Sequence, residues 1–128
     1  MSWRWVKKQH VLAAHDRSLA DHGGAEGVRD EGALESALAR PENMAAYGEP
    51  DIFDLAALYA VGIAKNHPFV DGNKRTAFYA GNIFLMLNGY VLIADERDAT
   101  IAMVAVAAGD MSEQEFAGWL RKNAEPSN

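Results

Sequence analysis

HPFVDGNKRTA, residues 67–77, separates two stretches that both carry helical patterning: IFDLAALYAVGIAKN before it and TAFYAGNIFLMLNGY from its Thr76 onward. The first is apolar around most of its circumference, which marks a helix surrounded by other elements. The second reads as a partner central helix, ended by Gly89 in a left-handed conformation with Tyr90 folding back on Leu85. Two buried helices joined by one polar turn, with few strand signals elsewhere, make the expected fold all-α, a compact helical bundle. The turn gathers an imidazole, a carboxylate, a carboxamide, an ammonium and a guanidinium between His67 and Arg75.

Its place in the chain gives that chemistry a use. The start of a helix presents unpaired backbone N–H groups and the positive end of the macrodipole, which together attract an anion. Gly72 can take a positive φ, so the Asp-Gly-Asn-Lys backbone can curl into a nest of N–H donors. Lys74 and Arg75 add positive charge there, and Arg suits bidentate contact with phosphate oxygens. Asn73 either caps the helix or donates its amide to a phosphate. Asp71 is out of place in an anion site unless a metal joins it, and a carboxylate beside phosphates is how Mg²⁺ is commonly held. His67, across the turn, is free to act as a general base on a hydroxyl. Phe69 is the buried anchor of the loop. Each residue alone has a plainer reading as a solvated or structural side chain, but a mere connector has no need of the whole set. A Walker loop is excluded, since there is no second glycine and no preceding strand. His10, His15, His22 and His67 form no zinc-binding pair, and the first three read as surface or packing residues.

Working outward, a first helix covers about residues 7–21, with Val11, Leu12, His15 and Leu19 near one face, and Gly23-Gly24 end it. In VRDEGALESALARP, Asp30 is the N-cap, Leu34, Ala37 and Leu38 form an apolar stripe, and Pro41 stops the helix. PENMAAYGEP, residues 41–50, reads as an exposed loop or extended segment. Asp51 caps the central helix. Residues 91–94 can pair briefly as a strand. A helix near 96–108, with the buried-helix signature IAMVAVAA, ends at Gly109. The last helix opens with the capping box Ser112-x-x-Glu115 and buries Phe116, Trp119 and Leu120. A short polar tail, EPSN, closes the chain.

At 128 residues the chain is expected to be one domain, residues 1–128. Hydrophobic residues make up 49% of it, enough for a real core. A net charge of −6 argues against a broad nucleic-acid footprint. The absence of cysteine excludes disulfides and fits a reducing cytosol. No apolar run has signal-peptide or membrane-spanning length, so a soluble cytoplasmic protein without membrane contact is expected.

HPFVDGNKR closely resembles the signature of the Fic/Doc family, whose Fic branch reads HPFx[D/E]GNGR, and it lies in the same position between two central helices. The His15-Asp16 pair, GVRDEGALESALARP, LAALYAVGIAKN, FLMLNGY and the final WLR resemble the Doc, or death-on-curing, toxins along nearly the whole chain. The resemblance implies a helical bundle of the Fic/Doc type. His67 would deprotonate a target hydroxyl, Asp71 would hold Mg²⁺, and Gly72, Asn73 and Arg75 would line the phosphate nest under a loop anchored by Phe69. It also implies that residues 41–50 form a flap that docks the target backbone in extended form.

Lys74 stands where Fic enzymes have glycine. In the Doc branch that lysine goes with a reversed nucleotide, so the resemblance implies transfer of the γ-phosphate of ATP to a protein hydroxyl. The implied target is the translation factor elongation factor Tu. Pro68 and Gly72 are Fic-like, which keeps AMP transfer as the alternative, and a catalytically idle antitoxin-binding module is a second one. No window fits the inhibitory motif [ST]xxxE[GN] of many Fic proteins. A separate Phd-type antitoxin is therefore expected, binding through an amphipathic segment.

Overall fold

The computed structural model describes residues 2–127 as six helices and two short strands. In chain order these are α1 (Lys8–His22), α2 (Glu31–Tyr47), α3 (Ile52–Asn66), α4 (Asn73–Leu87), β1 (Tyr90–Leu92), α5 (Glu96–Ala108), α6 (Glu113–Lys122) and β2 (Ala124–Pro126). The fold is all-α, and α3 is its axis. From Ile52 to Ala64 every residue of α3 except Asp54 is buried, with α2, α4, α5 and α6 around it. No helix among the described residues is long and apolar enough to cross a membrane.

Small residues let the neighbours of α3 approach closely. A Cβ on Gly81 of α4 would stand 3.1 Å from the Ala56 carbonyl oxygen, and one on Gly62 of α3 would stand 3.3 Å from the Ala37 Cβ of α2. The α4 helix is buried along one stripe, Thr76, Ala77, Ala80, Gly81, Phe84 and Leu85, and keeps Lys74 and Arg75 in solvent. Packing thus fixes the rotation of α4 and with it the direction in which the basic first turn faces.

Three of the helices, α2, α3 and α6, start on the side-chain caps expected for them. Asp30 accepts from Ala33 N–H at 3.0 Å, Asp51 from Asp54 N–H at 2.8 Å, and Ser112 Oγ from Glu115 N–H at 3.1 Å. These satisfy donors that a helix leaves open. Gly109 ends α5 at φ 82°.

Four expectations are corrected. Pro41 does not stop α2, which continues to Tyr47. The ring is buried, and the good helix formers Glu42, Met44, Ala45 and Ala46 carry the helix on, so packing outweighs one missing N–H. The helix stops at Gly48, whose N–H meets the Met44 carbonyl at 2.9 Å. Residues 41–47 are therefore helical, and no extended flap lies there. IAMVAVAA is buried only at Ala102, Met103 and Val106, while Ile101 and Val104 face solvent, because α5 lies at the rim of the bundle. Trp119 is only half-buried.

The polar tail is part of the fold through Ser127, and Asn128 lies outside the described residues. β2 pairs antiparallel with β1, Leu92 opposite Ala124 and Tyr90 opposite Pro126, and Ser127 N–H reaches the Gly89 carbonyl at 2.9 Å. Tyr90 rests edge-on against Phe53, with ring centroids 5.2 Å apart.

Candidate active site

The turn from His67 to Gly72 starts with a backbone reversal. His67 caps α3 at φ 49° and ψ 55°, and it is the single non-glycine residue with positive φ among the described residues. Gly72, at φ 76°, precedes α4. Between them Phe69 turns inward and is buried, its ring stacked on the His15 imidazole at 3.9 Å and 11°. His15 is itself buried, and its Nε2 hydrogen-bonds the Asp71 carbonyl at 2.8 Å. It therefore packs the loop and also ties it to α1.

Asn73 does not cap α4, whose N-cap is Gly72 with no side-chain acceptor. Its carboxamide closes on the backbone of Phe69 instead. The Phe69 N–H donates to Oδ1 and Nδ2 donates to the Phe69 carbonyl, both at 2.9 Å. The reason is local: Phe69 lies one helical turn earlier and turns both its backbone polar groups toward the new helix. One of the two N–H groups of Nδ2 is used in this way.

The first turn of α4 is consequently open. Thr76 N–H makes the first helical bond, to Gly72 at 3.0 Å. The N–H groups of Asn73, Lys74 and Arg75 have no acceptor among the described residues, as a helix start without a side-chain cap requires. Neither Lys74 nor Arg75 forms an ion pair among those residues.

Asp71 is exposed and oriented by two backbone donors, Gly72 N–H at 2.8 Å and Ala25 N–H at 3.2 Å. The segment carrying Ala25 runs beside the turn and bonds to its backbone. Val28 bridges Phe69, Val70 N–H donates to Gly27 at 3.0 Å, and Arg29 N–H donates to Pro68 at 2.7 Å. The backbone that bonds to the motif thus lies at residues 25–29, while residues 41–47 of the expected flap are helical.

His67, Asp71, Gly72, Asn73, Lys74 and Arg75 all line one cleft of about 860 Å³, while Phe69 lies buried beneath the loop. The far wall of the cleft belongs to α5 and its approach, with Ala99, Met103 and Val104 as an apolar floor and Asp95 and Glu96 as an acidic rim. His22 also reaches the cleft, beside Asp21. No cluster of three or more His, Cys, Asp or Glu able to hold a metal occurs among the described residues. A base, a carboxylate, two cationic side chains and three open backbone donors around one concave space can bind a phosphate chain and deprotonate a nucleophile brought to it.

Arg29 is the residue that patterning did not single out. Its guanidinium donates from Nε to the His67 carbonyl at 3.0 Å, from Nη2 to the same oxygen, and from Nη2 to the Asn66 carbonyl at 3.3 Å. Its position directly before the N-cap Asp30, in the sequence VRD, was the available signal.

Residues 5–85 match the family model described as Fic/DOC family, a span that runs through α1, α2 and α3, the whole turn and most of α4. The chain is similar to "Protein kinase doc" of Escherichia phage P1, with 34% identity over 120 residues, covering 93% of this chain and 94% of that protein. It is similar also to "Toxin Doc" of Mycolicibacterium smegmatis, with 47% identity over 94 residues, covering 71% and 69% of the two chains. Matched over most of its length and through the turn that builds the cleft, the chain belongs to the Fic/Doc family.

Proposed function

We propose that this protein is a cytoplasmic toxin that transfers the γ-phosphate of ATP to a hydroxyl of a target protein and so inhibits translation. The target is a translation factor of the elongation factor Tu kind, and a Phd-type antitoxin holds the toxin in check. The observation that carries the reading is the meeting, on one cleft, of exposed His67, Asp71 and an open helix start flanked by two cations that form no ion pair among the described residues. The names carried by the two relatives, one a protein kinase and both Doc proteins, favour it.

In this mechanism the N–H groups of residues 73–75 and the second N–H of the Asn73 carboxamide receive phosphate oxygens, and Arg75 and Lys74 neutralise their charge. His67 accepts the proton of the target hydroxyl as its oxygen bonds to the γ-phosphorus. The bond from that phosphorus to the bridging oxygen breaks, and ADP leaves. Asp71 suits Mg²⁺: its carboxylate is exposed and pre-oriented, and each oxygen keeps a lone pair beyond the backbone bond it accepts. Asp71 would be the protein's ligand to the ion, which commonly takes few protein carboxylates beside a substrate's phosphates. When bound, Mg²⁺ would offset charge on the phosphate chain.

The test uses purified protein, freed of any partner, in a translation extract with Mg²⁺ and ATP labelled at the γ- or the α-phosphate. Label from the γ position alone, absent in His67→Ala, is the expected result. Label from the α position would make the protein an AMP transferase and Lys74 a bystander. Growth arrest that persists undiminished in His67→Ala would remove His67 from its role as base.

A further inference from the structure

We infer that Arg29 is a positioning residue for His67, holding the backbone of residues 66–68 in the conformation that presents the imidazole to the cleft. It thereby governs the transfer step and not the affinity for nucleotide. The inference rests on the reading of His67 as general base given above.

A left-handed residue with a side chain is disfavoured, because Cβ crowds the following carbonyl. His67 adopts this state at φ 49° and ψ 55°. Relaxation to the ordinary helical or extended regions would redirect its Cα–Cβ bond, so the aim of the imidazole depends on whatever holds the reversal. The His67 N–H is bonded to Ile63 at 3.2 Å, but a helix end leaves its last carbonyls open. Arg29 fills that need for three successive carbonyls. Its guanidinium takes those of Asn66 and His67, its backbone N–H takes that of Pro68 at 2.7 Å, and Asp30 N–H joins on Pro68 at 3.1 Å.

The chemistry suits arginine in particular. The planar fork places two donors on one oxygen, and the positive charge lies at a helix C-terminus, where the macrodipole favours it. No acidic side chain pairs with Arg29 among the described residues, so its donors are directed at these carbonyls. Arg29 does not line the cleft and acts on it through the backbone alone. The anchor is firm because the next residue, Asp30, caps α2. The phosphate nest is held separately, by Asn73 on Phe69 and by His15 on Asp71, which is why nucleotide affinity stays out of its reach.

The experiment compares wild type, Arg29→Met and Arg29→Lys for γ-phosphate transfer, thermal unfolding and the ¹³Cα and ¹³C′ shifts of His67 in selectively labelled protein. Arg29→Met should lower kcat about 100-fold with KM for ATP within about twofold. Its His67 carbon shifts should leave their left-handed values while the amide signal of Asn73 stays in place. Arg29→Lys, which keeps the charge but loses the fork, should fall about 10-fold in kcat with KM again unchanged. Should Arg29→Met fail to fold, Arg29→Lys decides by the same criteria. Wild-type kcat in the folded variants, or His67 shifts that do not move, would overturn the inference. If the wild type transfers no label, the proposed reaction fails, and the His67 shifts still decide whether Arg29 sets that residue's conformation.

Discussion

The carboxamide of Asn73 and the backbone of Phe69 form a closed pair, two hydrogen bonds of 2.9 Å between residues one helical turn apart. Removing it in Asn73→Ala leaves one donor and one acceptor unpartnered in a part-buried loop, and should cost about 1–3 kcal/mol. Asn73→Asp keeps the acceptor for the Phe69 N–H and loses only the donor, so it should cost less. Urea denaturation checks both, and an Asn73→Ala midpoint equal to wild type would show that the loop does not need the pair. What the sequence disclosed at this scale was chemical type and spacing: a glycine able to take positive φ, a base and cations at a helix start. The grip on the loop was hidden for a physical reason. His15 and Arg29 act on backbone carbonyls 56, 37 and 38 residues away, and a carbonyl acceptor has no letter of its own in a sequence. Asn73 went to the loop and not to the cap because its partner, Phe69, is presented by a fold that pattern alone does not supply.

Elements were legible where a local signal starts or ends them. Asp30, Asp51 and Ser112 cap, and Gly109 stops α5, as their residue types imply. Pro41 was misleading because local propensity is a weak prior against burial of the ring between good helix formers. The start of α3 carries a pH dependence of its own. Burial pushes the Asp51 carboxyl up, but the Asp54 N–H and the Arg121 guanidinium, 2.7 Å away, outweigh it and hold it below the usual 3.8. A carboxyl lowered on folding adds stability that is fully present above its unfolded value and disappears as pH falls through the lower folded one. The contribution of Asp51 is therefore intact above pH 3.8 and lost below it. Asp51→Asn retains an oxygen to cap Asp54 but not the charge for Arg121. Thermal unfolding followed downward in pH should show a shallower acid decline in this variant than in wild type; parallel declines would mean that the pair adds nothing.

At the scale of the molecule, stability and chemistry are concentrated at opposite ends of α4. The first turn faces the cleft, whereas Phe84, 11 residues on and about 16 Å along the helix, is fully buried among Trp3, Trp5 and Tyr59 at 5.4–5.9 Å between ring centroids. The N-terminal strap is fastened there. Val6 N–H donates to the Tyr59 hydroxyl at 3.1 Å, and Asn88 exchanges two 3.0 Å bonds with the Arg4 backbone. Burial raises the Tyr59 phenol well above its usual range, so it remains a neutral acceptor for that strap. Truncating this hub in Phe84→Ala should cost about 3–5 kcal/mol, through lost transfer energy and the cavity left behind. The turn at the other end is held by its own bonds, from Arg29, His15 and Asn73, none of which involves the hub. The variant should therefore unfold at lower denaturant yet transfer phosphate at the wild-type rate per folded molecule, read by pairing a denaturation curve with γ-label transfer well below the midpoint. A folded Phe84→Ala protein with a tenfold slower transfer would instead mean that α4 transmits its packing along its length, and that the cleft is set by the whole helix and not by the turn that opens it.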